Sequence, residues 1–489
     1  MRRGDQPRWL GFCGSALLAT ATVAGSLGTP RWFTGSAALP LAVGVGGMGL
    51  VVLAWALLGR LVLASGDIAP GPRALRSTFL LWAAPLLVVP PLFSGDAHSY
   101  LAQGEIAARG LDPYAVGPNE GLGAAAKLTQ SVSGYWRDAP SPYGPLFSGI
   151  QRLIAQLAGE QQAAAILLHR LIALAGVALL LWAVPRLAAR AGVSAGVPLW
   201  LGVLNPLVLW HFVAGVHNDA LMLGLMAAGT AIALSAVDET VQWWRLSLGV
   251  VVIALGADVK VPAVVALAVV GTALARRMGG RLWHLVLAGG AMVAAVAVVS
   301  AVVSAITGLG FGWLGTLGTS SQLNSWMAPT NWLGFLGGGI GSLFGLHLTQ
   351  PTIGAGRIIG YAVIVCGLAV LIHRQLRGRI GDLQALGLMF AVVVVFGPVV
   401  QPWYLLWAVV PLAVCLPACR ARTVLIGLVG VFAVLLPPLG GEAGELVLGY
   451  LGGLLILAVA AFAAHRSQPF RLAGPEPSRE LQETRSARG

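Results

Sequence analysis

Charge is scarce in this sequence. Only 10% of its 489 residues are Asp, Glu, Lys or Arg, while 57% are hydrophobic and the mean hydropathy is +0.82. A water-soluble chain of that composition would lack the polar surface to cover itself. Lysine is rarer still: Lys127 and Lys260 stand alone, and arginine supplies the rest of the 30 basic residues. Most of those arginines lie in short connectors between apolar runs, as topology signals do, so the net charge of +12 is not a nucleic-acid patch. The four cysteines, Cys13, Cys366, Cys415 and Cys419, fall in or beside apolar runs and give neither a disulfide framework nor metal-ligand spacing. No GxxxxGK[ST] loop and no HExxH pair occurs, which argues against nucleotide hydrolysis within the chain.

Long apolar runs are what the sequence has instead. They fall near 9–28, 37–59, 76–92, 162–184, 196–213, 217–236, 245–257, 261–275, 282–306, 355–373, 381–397, 402–418, 422–438 and 444–464. Most reach the roughly 17–25 residues that a helix needs to cross a hydrocarbon core of about 30 Å. The expected fold is an all-α polytopic membrane protein with about 13 or 14 transmembrane helices. The short runs flanking AlaAspValLysValPro (257–262) read as a broken pair. The first run, behind MetArgArgGlyAspGlnProArg, reads as an uncleaved transmembrane helix.

Basic residues orient these spans. With both termini cytoplasmic, the inner connectors and termini collect 22 of the 30, and Arg31, Arg109, Arg137, Arg152, Arg170, Arg357, Lys127 and Lys260 are the exceptions. The chain then divides into N-terminal spans (1–92), a long outer segment (93–161), central spans (162–306), a second outer segment (307–354), C-terminal spans (355–466) and a polar cytoplasmic tail (467–489) expected to be disordered. In the first outer segment, Leu146, Phe147, Ile150, Leu153, Ile154 and Leu157 share one helical face, opposite Gln151, Arg152 and Gln156. That pattern predicts a helix lying in the membrane interface.

Sorting the remaining polar residues by side places them on one face. Asp96, His98 and Glu105 are outside, as are AspProTyr (112–114), ProTyrGlyPro (142–145), HisAsnAsp (217–219), Asp258 with Lys260, and GlnProTrpTyr (401–404). A single site at the outer interface, roofed by the two long segments, is the expectation. Each residue also has a structural reading. Asp96 suits a helix N-cap as well as a general base. Lys260 suits an ion pair as well as a phosphate contact. Arg170, beside His169 and about 8 residues into a span, marks function by its depth or snorkels to the surface. His217 and Asp219 suit caps and give no metal site. Trp403, Tyr404, Trp326 and Trp332 suit an interfacial belt or sugar stacking.

Five stretches together carry a resemblance: GlyAspAlaHisSerTyrLeuAlaGln (95–103), GlyLeuAspProTyrAlaValGlyPro (110–118), TyrGlyProLeuPhe (143–147), HisAsnAspAlaLeuMet (217–222) and ProTrpTyrLeuLeuTrp (402–407). In this order they resemble the actinobacterial polyprenol-phosphomannose-dependent α-1,6-mannosyltransferases, GT-C-type enzymes that build the mannan of lipomannan and lipoarabinomannan. The resemblance spans roughly 75–465. It implies a GT-C fold at the plasma membrane, an outer-face site, polyprenyl-phosphate-mannose as donor, a phosphatidylinositol-mannoside or mannan acceptor, and no metal cofactor. It also implies an essential Asp in the first outer loop, which Asp96 matches. Many GT-C members carry two adjacent acids there, whereas Ala97 follows Asp96, so a helping role for Glu105 or Asp112 stays open.

A β-linked mannosyl phosphate that yields an α-mannoside must invert at C1. That requires a base and a stabilised leaving phosphate, not a covalent intermediate. Asp96 is the expected base; Lys260, Arg170 and His217 are the candidate phosphate contacts. His98, Tyr143, Asp219, Gln401, Trp403 and Tyr404 are candidates for binding substrate. The rival classes are a transporter or lipid flippase, whose polar site would lie near the bilayer midplane, and a GT-C enzyme using another lipid-linked sugar.

Overall fold

The computed structural model describes residues 5–26, 37–64, 69–238, 240–436 and 442–466; the predicted tail, 467–489, lies outside them. Among these residues there are helices and no strands, and each predicted span carries helix. Ala38–Leu63, Gln162–Arg190, Leu282–Thr307, Thr349–Leu376 and Ala443–Phe462 are individually long and apolar enough to cross a membrane. Asp219–Ser235, Asp382–Phe396 and Pro402–Cys415 are shorter apolar helices. The chain is an all-α, multi-pass membrane protein.

The run at 196–213 does not form one straight helix. Gly196–Val203 and Val208–Ala214 meet at an angle of 60°. Pro206 accounts for the break, since it has no N–H to donate and its ring clashes with a preceding carbonyl. Asn205 meets the loss: its Nδ2 donates to the Leu201 carbonyl at 2.8 Å and its Oδ1 accepts from the Leu207 N–H at 2.9 Å. A break inside an apolar core is tolerated when side chains satisfy the freed groups in this way. The first half is fixed by Trp200, which stacks on Trp55 at 4.8 Å while each indole N–H donates to the other's carbonyl.

The second predicted outer segment contains an additional helix, Pro329–Leu343, paired with Thr349–Leu376. Its run of glycines weakens any helical reading of the isolated sequence. In the fold the lack of side chains lets the two backbones approach: a Cβ on Gly356 would overlap the Thr330 carbonyl.

The first outer segment folds into Asp96–Ala108 and Pro145–Ala158, packed on each other and joined through the short helices Pro118–Leu122 and Lys127–Ser131. The predicted faces of the second helix are only half realised. Phe147, Gln151, Ile154 and Ala158 form its buried stripe, and Leu153 and Leu157 are exposed. Gln151 is turned inward because its Nε2 donates to Gln103 Oε1 on the neighbouring helix at 3.3 Å.

Candidate active site

Two chain segments bring Asp96 and His217 together. One runs from the short turn Ala84–Leu87 to Asp96; the other is the end of the broken span, Val208–Ala214, continuing into His217. The Leu92 N–H donates to the Ala214 carbonyl at 3.3 Å and ties the two together. Each segment contains a residue in the left-handed region, Phe93 at φ 67° and Val216 at φ 60°. Positive φ is strained for an aromatic or β-branched side chain and gathers where the surroundings over-determine the backbone, typically at functional sites. Here each strained residue stands just ahead of the side chain that it aims.

Asp96 is the first residue of its helix, and the residue in the cap position is Gly95. Ser94 Oγ accepts the Asp96 N–H at 3.1 Å, so the carboxylate is free of capping duty and sits at the positive end of the helix. Its Oδ2 lies 3.4 Å from His217 Nδ1. Burial raises its pKa, but the hydrogen bond and charge of His217, the Lys260 ammonium and the Ser94 hydroxyl together outweigh it and hold the group below the ordinary 3.8. The carboxylate is therefore ionised at neutral pH.

A cavity of about 600 Å³ opens beside it, lined among others by Asp96, Tyr143, Lys260, Gln401, Trp403 and Tyr404. These come from four distant parts of the sequence. Lys260 ends the Trp243–Val259 helix in extended backbone, ahead of the turn Val261–Ala263 that carries Pro262. Its Nζ bonds both Asp219 oxygens, at 2.9 and 3.1 Å, and lies 4.6 Å from the centre of the Tyr404 ring. Trp407 Nε1 donates to the same carboxylate at 2.8 Å and stacks on Tyr404 at 4.1 Å. The ammonium is thereby held with 16% of its side chain open to the cavity, while Asp219 is sealed behind it. Tyr143 reaches the cavity because Gly144 packs against the backbone of Asp258, where a Cβ would have no room. Ser325 and Trp326 from the second outer segment line the same space, so both long segments contribute to it.

Several expected contacts lie elsewhere. Arg170 is 3% exposed and does not reach the cavity; its guanidinium donates to the carbonyls of Leu87, Val89, Val213 and Ala214. Its depth is explained by four buried carbonyls, which a guanidinium is shaped to collect. His217 is fully buried behind Asp96 and stacked on Trp403 at 3.8 Å, out of reach of a phosphate in the cavity. Asp219 touches Lys260 and Trp407 and has no exposed surface. His98, two residues along the helix from Asp96, does not line the cavity, and burial lowers its pKa. Glu105 pairs with Arg109 at 2.8 Å, and Asp112 Oδ1 accepts the Tyr114 N–H at 2.8 Å; neither lines the cavity.

Other cavity residues were not singled out from sequence. Ser99 and Gln103 stand at i+3 and i+7 from Asp96, so helical spacing alone could have found them. Ser94, Tyr135 and Trp136 sit in turns and carry no such signal. Among the described residues no three His, Cys, Asp or Glu side chains are grouped as a metal site requires.

Residues 8–276 match the family model described as Alpha-(1->6)-mannopyranosyltransferase, N-terminal domain, and residues 330–465 match the MptB C-terminal domain. A probable alpha-(1->6)-mannopyranosyltransferase of Mycolicibacterium smegmatis is 42% identical over 88% of this chain and 81% of its own length. An alpha-(1->6)-mannopyranosyltransferase of Mycobacterium tuberculosis is 41% identical over 78% of this chain and 72% of its own. Another from that organism, alpha-(1->6)-mannopyranosyltransferase A, is 38% identical over 78% and 72%. No solved structure matches the chain. The chain belongs to the alpha-(1->6)-mannopyranosyltransferase family.

Proposed function

We propose that this α-1,6-mannosyltransferase takes mannose from polyprenyl-phosphate-mannose and adds it, with inversion, to a phosphatidylinositol-mannoside or α-1,6-mannan acceptor at the outer face of the plasma membrane. The observation that carries the reading is the pairing of an ionised carboxylate, Asp96, with a preorganised ammonium, Lys260, across one open cavity.

Asp96 is the general base. The acceptor hydroxyl attacks C1 of the donor from the face opposite the phosphate; the O–C1 bond forms, the C1–phosphate bond breaks, and the hydroxyl proton passes to Asp96. The phosphate leaves with the bonding electron pair and gains negative charge, which Lys260 stabilises. A carboxylate of low pKa is a weak base, yet glycosyl transfer through an oxocarbenium-like transition state leaves the acceptor proton to move late. Donor binding also strengthens the base: a phosphate at Lys260 offsets the field that lowers the Asp96 pKa. Lys260 supplies the charge at the leaving group, so no divalent metal is required.

His217 holds the carboxylate from behind, and Asp219 with Trp407 holds Lys260; these are positioning residues. Arg170 fixes the backbone that carries Asp96 and His217. Gln401, Tyr143, Trp403 and Tyr404 border the space where the sugar and the head of the lipid would lie.

The test is transfer from polyprenyl-phosphate-mannose to a short α-1,6-mannoside by the purified protein, with Asp96→Asn compared at matched thermal stability. Asparagine keeps the shape but takes no proton. A loss of about 10²–10⁴-fold in turnover supports the base assignment. Normal turnover by the variant moves the assignment to another acid, and absence of transfer by the wild type to any acceptor overturns the reading.

A further inference from the structure

A second cavity, of about 550 Å³, lies on the other side of the Asp96–Ala108 helix. Asp96, Ser99 and Gln103 face the first cavity; Leu101, Glu105 and Arg109, one helical face around, line the second. Two buried acceptors in its wall have no partner. His169 is 3% exposed, and its Nδ1 lies 2.8 Å from the Ala165 carbonyl. That contact makes Nδ1 the protonated nitrogen and leaves Nε2 an acceptor without a donor. Gln151 is 1% exposed; its Nε2 donates to Gln103 Oε1, and its own Oε1 has no partner. Ser141 Oγ donates to the same Gln103 oxygen at 3.3 Å.

Buried acceptors that go unmet are costly, so the wall calls for a ligand that brings donors. The charges around it balance, Glu105 and Glu160 against Arg109 and Lys127, so an ion gains no net attraction. Leu128 and Ile154 supply an apolar wall. Hydroxyl donors on a neutral body with an apolar C–H face are the chemistry of a sugar.

We propose that this cavity is a second carbohydrate subsite, holding a mannosyl unit remote from the bond being made, with His169 Nε2 and Gln151 Oε1 accepting its hydroxyls. That the sugar is mannose rests on the function proposed above; the polyol chemistry rests on the cavity alone. Gln103 joins the two sites, bordering the catalytic cavity while its amide oxygen holds Gln151. The subsite would thus favour acceptors carrying mannose beyond the unit that reacts.

Calorimetric titration of the full-length protein in nanodiscs with α-1,6-mannotetraose, without donor, tests this independently of turnover. His169→Phe and Gln151→Leu are expected to weaken binding about tenfold or more. Ala155→Trp, at a partly exposed position in the cavity wall, is expected to abolish it and serves if the buried variants misfold. Suppression of tetraose binding by a mannosylated inositol lipid in the nanodiscs would identify a lipid headgroup as the source of the sugar. Without suppression, the source is the glycan chain. A wild type that does not bind the tetraose with or without that lipid, or variants that all bind like the wild type, would overturn the proposal.

Discussion

Two side chains, Asp96 and Lys260, define the chemistry that the cavity can perform, and both depend on what stands behind them. Because His217, Lys260 and Ser94 hold Asp96 below 3.8, its ionised form should persist through the ordinary carboxylate range. The acid limb of kcat/KM, which reports the free enzyme, is therefore expected below about pH 4 and not near 5. The stability that these contacts give is present above the unfolded value and is lost as pH falls through the lowered one. An acid limb near pH 5 that disappears in Asp96→Asn would count against this environment. For Lys260, removing the charge alone strands Asp219, which is fully buried; breaking such a pair costs about 3–5 kcal/mol. Lys260→Met should therefore both unfold more easily and lose turnover. Lys260→Met combined with Asp219→Asn should regain much of the stability and none of the turnover. Recovery of both together would reduce Lys260 to a structural ion.

At the scale of elements, the site exists because a span is broken. A straight helix through 196–213 would leave no bend to carry Val216 and His217 across to the end of the Ala84–Leu87 segment. Asn205 and Pro206 make the bend, and Arg170 clamps its far end to the Asp96 side through four carbonyls. Arg170→Met leaves those carbonyls buried without donors, and a cost of about 3 kcal/mol or more is expected. Thermal unfolding should show the loss, and the folded fraction should retain an unchanged KM for donor lipid. A KM that rises several-fold in protein of normal stability would restore the guanidinium as a phosphate contact.

For the whole molecule, the decisive feature is that one end of a helix bundle carries nearly all of its unusual polar residues. Two long segments cover that end, and each contributes to the cavity wall. The proposed sidedness is testable in cysteine-free background protein in intact cells. Tyr135→Cys, at a position 79% exposed beside the cavity, is expected to react with a membrane-impermeant maleimide. Trp244→Cys, 70% exposed near Arg245, is expected to react only after the membrane is opened. The reverse pattern would invert the topology and turn the site inward.

Much of this was legible in the residues themselves. The apolar runs dictate helices because a lipid environment leaves the backbone no other way to satisfy its N–H and C=O groups. The place of Asp96 at the edge of an apolar run, and the rarity of Lys260 in a chain that otherwise uses arginine, mark both in the sequence. The folded chain then brought Asp96, Tyr143, Lys260, Gln401, Trp403 and Tyr404 into one wall. What the sequence could not decide was which partner each buried polar group meets. Arg170, His217 and Asp219 looked like ligands of substrate because burial of a charge without a visible partner suggests function. Their partners are backbone carbonyls, a carboxylate, an ammonium and an indole that lie 41 to 188 residues away along the chain. Periodicity reports which face of a helix is apolar, not which distant atom a side chain bonds. Those assignments belong to tertiary structure, because hydrogen bonds are settled by proximity in space.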